Sequence, residues 1–190
     1  DTKDDKGELI NTAKIKYQIS KTSDFSNNDT LTITAESDTY QLTEKSKVYT
    51  VSGLDEYLKN VDELSQDNID LLVSEALAKQ PDATKNGSGA TFTSATAKKL
   101  IVMSGNQTST VYVISEINYT LDDGTNVSYY LSVYFKNVVL RKNSNGEYSL
   151  SHGESTYTGN LINLVASRFF HGYASQEAAE AAARTTQTPD

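Results

Sequence analysis

His152 and His171 are the only imidazoles in this chain of 190 residues, and there is no cysteine. These two facts bound the chemistry. Protein zinc sites draw on several Cys, His or carboxylate ligands, usually announced by closely spaced pairs. Neither histidine has such a neighbour, so no metal and no cofactor is expected. The lack of thiols also excludes disulfides, thiolate nucleophiles and iron–sulfur sites. A histidine general base needs a pocket and an oriented partner. "SHGE" and "FHGY" announce neither, so both histidines read as surface or capping residues. Asp122-Asp123-Gly124 sets two carboxylates beside a glycine. Calcium takes six or more oxygens, and the tripeptide reads instead as a turn. Asn86-Gly87-Ser88-Gly89 is glycine-rich, but no Walker or dinucleotide pattern follows, and it reads as a loop. Ser104 and Ser115 lack the G-x-S-x-G setting of a nucleophile elbow. No catalytic residue is assigned, and the chain is not expected to be an enzyme.

The formal charge of −8 argues against general nucleic-acid binding, which needs clustered Lys and Arg. The small basic groups Lys14/Lys16, Lys98/Lys99 and Arg141/Lys142 read as solvated strand ends. Apolar residues make up 37% of the chain, so the core should be modest. Twelve Tyr and no Trp point to aromatic residues with wet edges. No apolar run approaches the roughly 20 residues that span a bilayer. The polar, Tyr-rich composition and the charged opening "DTKDDKGE" lead us to expect the mature region of an exported bacterial surface protein, held at the membrane only through an anchor outside this chain. Five Asn-X-Ser/Thr sequons, at Asn28, Asn86, Asn106, Asn118 and Asn126, read as chance in an Asn/Ser/Thr-rich chain.

Elements must position whatever function there is. Residues 1–8 read as a charged, disordered start. Residues 9–52 read as a small antiparallel β unit, with Ala13, Ile15, Tyr17 and Ile19 on one face of a half-buried strand and Leu31, Ile33 and Ala35 alternating in the next. Gly53 starts a change of period. Leu54, Tyr57, Leu58 and Val61 fall at helical spacing. Ser65 is a good N-cap, and Ile69, Leu72, Val73, Ala76 and Leu77 form the stripe of a helix ending before Pro81. A main sheet follows at about 91–103, 109–121, 126–142 and 146–152. "GNLINLVASRFF" places Leu161, Leu164, Val165 and Phe169 at helical spacing, and Ser175 can cap the Ala-rich "QEAAEAAAR".

The register of the central hairpin follows from burial. Val111, Val113, Ile117, Tyr119 and Leu121 share a face, as do Val127, Tyr129, Leu131, Val133 and Phe135. Burying both sets requires odd to pair with odd, Ile117 opposite Tyr129, and a slip of one residue would expose a whole set. A three-residue loop, Asp122-Asp123-Gly124, fits, with Gly124 in the left-handed position. In the next hairpin Val138 and Leu140 should oppose Leu150 and Tyr148. The shift of apolar phase at Lys136-Asn137 predicts a bulge. On the other face of the first hairpin Tyr112, Ile114, Tyr130 and Tyr134 cluster, with Tyr112 opposite Tyr134. This is either a contact or dimer surface, or a face covered by another part of the chain.

A helix from Leu54 to Gln80 and a long bulged meander ending in "GEYSL", preceded by "VYTVSGLDEYLKNVDEL", resemble NTF2-like and cystatin-like domains. Such domains recur as extracytoplasmic modules of Gram-positive lipoproteins and surface proteins, including components of conjugation machines. The resemblance covers about residues 53–170 and rests on element order. It implies an α+β fold: a small N-terminal antiparallel β unit, then an NTF2/cystatin-like domain at 53–174 in which a helix packs on a curved four-stranded antiparallel sheet with a C-terminal helix, and a short Ala-rich helix and tail at 175–190. The Asp/His pairs of catalytic NTF2-like cones cannot be placed here. The expected function is a non-enzymatic exported module making protein or cell-wall contacts through Tyr112, Ile114, Tyr130 and Tyr134, as a monomer or a homodimer. The alternatives are a small-ligand or enzymatic cone lined by Tyr119, Tyr129 and Phe169, and a passive spacer.

Overall fold

Period-two alternation dominates the chain, and antiparallel sheets follow from it. The computed structural model describes residues 3–79, 90–105, 107–143, 145–165 and 168–185. The fold is α+β, mostly antiparallel sheet with two α-helices. The chain divides into two units, Asp1–Leu54 and Asp55–Asp190.

In the first unit Asn11 caps a 3-10 turn, Thr12–Lys14, its side-chain oxygen accepting from Ala13 N–H at 3.1 Å. This capture delays the first strand, which was expected to include Ala13 and Ile15. Strands β1 (Lys16–Ile19), β2 (Thr30–Glu36) and β3 (Ser46–Thr50) form an antiparallel sheet in that order. Pairing of Tyr17 with Ala35, Ile19 with Ile33 and Leu31 with Tyr49 gathers the apolar side chains on one face. The β1–β2 loop closes on Asp29. Its carboxylate meets the Lys21 ammonium at 2.6 Å and accepts from Ser26 N–H at 2.9 Å, contacts that hold it below the usual carboxylate range. β1 was expected to be half buried, yet all four of its residues are exposed. Among the described residues of this unit none is buried, because no second layer of the unit lies on the sheet.

The second unit begins with a correction. The helix expected from Leu54 starts only at Gln66. Instead Glu56–Tyr57 is a short strand, β4, and Val61–Glu63 a 3-10 turn. Polar residues decide this. Arg141 holds Asp55 in a two-pronged contact (2.7 and 2.8 Å), and the Asn60 side chain takes Asp62 N–H at 2.9 Å. Both satisfy local groups in non-helical backbone. Ser65 does cap α1 (Gln66–Ala78), its hydroxyl accepting from Asn68 N–H at 3.3 Å.

Three long strands and one short one make the main sheet. β5 (Ala90–Gly105), β6 (Thr108–Leu121) and β7 (Asn126–Phe135) form the meander, and β10 (Ser155–Thr158) lies outside β7. The β6–β7 register is the one that burial demands, with Ile117 opposite Tyr129, Tyr112 opposite Tyr134 and Gly124 at φ 82° in the turn. The break at Lys136-Asn137 goes further than a bulge. Asn137 adopts φ 51°, and the chain leaves for a separate sheet, β4-β8-β9, with β8 at Val139–Lys142 and β9 at Tyr148–Ser151. The fourth main strand is therefore β10, not 146–152. The second hairpin also pairs two residues away from expectation: Leu140 faces Leu150 and Lys142 faces Tyr148. Asn143 explains the shift. It draws in the N–H groups of Asn145 and Glu147, both at 2.9 Å, and moves the turn by one residue on each side.

The largest correction lies at 160–172. The helix expected there is a hairpin, β11 (Asn160–Val165) with β12 (Arg168–Gly172). Branched and aromatic residues favour strand, and Ile162 with Phe170 alternate as well in period two as Leu161 with Phe169 do in period 3.6. α2 (Gln176–Thr185) follows, with Ala178 N–H donating to Ser175 Oγ at 3.2 Å.

The main sheet has a core on each side. The face that carries the odd-numbered residues of β6 and β7 packs with Leu72 and Ala76 of α1, with Leu58 and Leu64, and with Phe170. The other face, with Tyr112 and Ile114 of β6 and Ile101 of β5, packs with Ala179 and Ala183 of α2. The second unit thus closes both faces of its own sheet.

Candidate functional site

The tyrosine face of the central hairpin is not open. Tyr112 is 2% exposed and Ile114 fully buried, beneath Ala179 and Ala183 of α2. Only small residues let a helix approach this closely over two tyrosine rings, Tyr112 and Tyr134, whose centroids are 6.2 Å apart. Ion pairs rim the contact. Lys99 meets Glu180 at 2.5 Å, and Lys98 meets Glu116 at 2.8 Å. Each lysine holds its glutamate below the usual carboxylate range. Burial, and then the charge of Glu116, raises the Tyr130 phenol. Of the surface expected at Tyr112, Ile114, Tyr130 and Tyr134, the first two are buried and Tyr130 and Tyr134 half-buried, because the Ala-rich helix folds back onto this face; it is the covered face, not an open contact surface.

The side of the sheet that carries Tyr119 and Tyr129 is filled at the place where Tyr119, Tyr129 and Phe169 would line a pocket. Tyr119 and Tyr129 stack at 6.0 Å with rings 8° from parallel, and both are almost wholly buried. Phe170, one residue on from the expected Phe169, caps the stack at 5.8 and 5.3 Å. Burial drives the Tyr129 phenol upward, with Tyr119 adding to the shift. The three rings read as packed core.

Phe169 itself points outward, and the hairpin that carries it is fixed firmly. β11 and β12 end against β7 through Tyr173, whose backbone pairs with that of Tyr130 in both directions, at 2.9 and 2.8 Å. A Cβ on Gly172 would lie 2.5 Å from the Tyr130 carbonyl oxygen and 2.7 Å from the Tyr129 ring, so only glycine allows this approach. Ile162 and Phe170 turn inward from the hairpin. Leu161, Asn163, Phe169 and His171 turn outward, with Asn163 opposite Phe169 and Leu161 opposite His171. Leu161 is 63% exposed and Phe169 46%. Tyr157 of β10 stands edge-on to His171, ring centroids 5.3 Å apart, and extends the patch. His171 Nδ1 is buried with no partner among the described residues. Leu161, Asn163, Phe169, His171 and Tyr157 thus bring apolar, amide, phenol and imidazole groups together. Strand periodicity at 160–172 would have revealed it; the competing helical period concealed it.

The second histidine has an oriented partner that the sequence did not announce. His152 Nε2 is 3.1 Å from a Glu75 carboxylate oxygen on α1, and Nδ1 is 2.9 Å from the Gly153 carbonyl. The ring lies edge-on to Phe135 at 4.9 Å. Both nitrogens are engaged within the chain, which makes His152 a tie between α1 and the β9–β10 link. Other candidates resolve simply. The Ser115 hydroxyl is buried and has no hydrogen-bond partner among the described residues. Asp123 accepts from Thr125 N–H at 2.9 Å inside its turn. Asn118 bonds Ser94 and Ser128. Asn86-Gly87-Ser88-Gly89 lies outside the described residues. Among the described residues no group of three His, Asp or Glu could hold a metal ion, and no helix is long and apolar enough to cross a membrane.

Comparison with protein-family models, with curated proteins and with solved structures finds no match for this chain.

Proposed function

We propose that this chain is a non-enzymatic contact module of the extracytoplasmic kind, tethered at a cell surface through a part outside this sequence, with α1 and the bulged sheet arranged in the NTF2/cystatin manner. The contact face is the outward side of the β11–β12 hairpin, and the partner is a protein or a wall polymer. One observation carries this reading: Leu161 and Phe169, 63% and 46% exposed, sit on a strand pair whose other face is locked into the core. Scattered exposed apolar residues mean little, but a contiguous group on a rigid element is the usual mark of a contact site. Phe and Tyr bury much area at small entropic cost. The filled ring stack of Tyr119, Tyr129 and Phe170 speaks against a ligand cone at that place.

Hydrogen exchange tests the reading. The full chain is exchanged alone and in the presence of isolated cell envelopes from the organism that makes it. Protection confined to peptides covering 157–172 is expected. Protection elsewhere only, or none, rejects the hairpin as the contact face.

A further inference from the structure

The two helices of the second unit cover its sheet in different ways. We propose that α2 is a lid: it leaves the sheet as one unit and uncovers Ile101, Tyr112 and Ile114, while the strands and the core on their other side stay folded. This rests on α2 and the layer beneath it and does not depend on the hairpin reading above.

What each helix buries is the first reason. α1 sinks Leu72 and Ala76 into its core, with Ile69 and Val73 packed beside them. The buried residues of α2 are Ala179 and Ala183, and each offers the sheet a single methyl group. Burial scales with apolar area, so α2 loses little of its own on leaving. Its length is the second reason. Ten residues are too few to hold a helix alone in water, so undocking and melting are one event, and the released chain recovers its backbone entropy. The third reason is what stays behind. β5, β6 and β7 pair with one another along their length, and the core on the α1 side is complete without α2. Opening therefore breaks no strand pair. The boundary is sharp as well. Tyr173 is paired to Tyr130 in both directions, and only Ala174 and Ser175 separate it from the first helical residue, Gln176. The hinge lies at those two residues. In the closed form Lys99 of β5 holds Glu180 across the contact at 2.5 Å.

The chain has no cysteine, so one introduced thiol reports alone. Ala179→Cys and Ala183→Cys place it under α2. Val113→Cys places it on the other face of β6, at a fully buried position. Each full-length variant is treated with a disulfide reagent in native buffer, and its rate is compared with that of the same variant unfolded in urea. Both α2 thiols should react alike, and about a hundredfold or more faster than the Val113→Cys thiol, as sub-global opening requires. Adding Lys99→Met should speed the α2 thiols and leave Val113→Cys unchanged. Cysteine is larger than alanine, so amide exchange of the wild type is the second measurement: the α2 amides should exchange through one common opening, well ahead of β6. Thiols that all react at one rate overturn the proposal. So does fast reaction at Ala183→Cys alone, which is fraying of the helix end, or a wild type in which α2 and β6 exchange together.

Discussion

Gly172 is the residue on which the hairpin's attachment turns. Any side chain there meets the Tyr130 carbonyl and the Tyr129 ring, neither of which can yield cheaply. Gly172→Ala should cost stability at the upper end of the roughly 1–3 kcal/mol typical of overpacking, read from urea unfolding. Ser109 is a second such point. Its hydroxyl accepts from Leu58 N–H at 3.3 Å and donates to the Val138 carbonyl, joining the β4 segment, β6 and the start of β8. Ser109→Ala leaves a buried N–H and a buried carbonyl short of partners. It should cost about 1–3 kcal/mol in the same assay. Both residues were invisible in the sequence, since nothing local distinguishes a serine that bridges three segments from one in a loop. The same limit explains Phe169 and Phe170. Adjacent identical residues exchange core and surface when the period changes from 3.6 to 2, and only the tertiary fit of Phe170 against Tyr119 and Tyr129 decides between them.

At the scale of elements, the β6–β7 hairpin was fully legible. Two long odd-numbered apolar sets and a glycine turn allow one register, and Ile117 does face Tyr129. Segments of ten residues or fewer between polar residues were not. Asp55, Asn60 and Asn143 each redirected the backbone through side-chain bonds that no periodicity reports. α2 was legible as a helix but not as a lid, because an Ala stripe says nothing about what it will cover. Its rim gives a prediction. Glu180 and Glu116 titrate below their ordinary range because Lys99 and Lys98 hydrogen-bond their charged forms. A carboxylate depressed in the folded state contributes stability at neutral pH that is lost as the pH falls through the depressed value. The urea midpoint of the second unit should therefore fall between pH 7 and about pH 3, with a smaller fall in a Lys99→Met variant. An unchanged midpoint in wild type would show that the rim contributes nothing.

For the whole molecule, the two units should not unfold together. The second has a core on each side of its sheet, whereas no described residue of the first is buried. At low micromolar concentration amide exchange should be fast throughout β1–β3 and slow in β6 and β7. The proposed function makes a different demand, that an exposed and dispensable pair of side chains decides attachment. Leu161→Ser with Phe169→Ser removes the open apolar group, and both sites are exposed enough that folding should change little. The direct measurement is retention of purified protein on isolated envelopes of the cells that make it. Wild type should be retained and the double variant, with an unchanged urea midpoint, should wash through. Equal retention of the two, or retention of neither, would contradict the account.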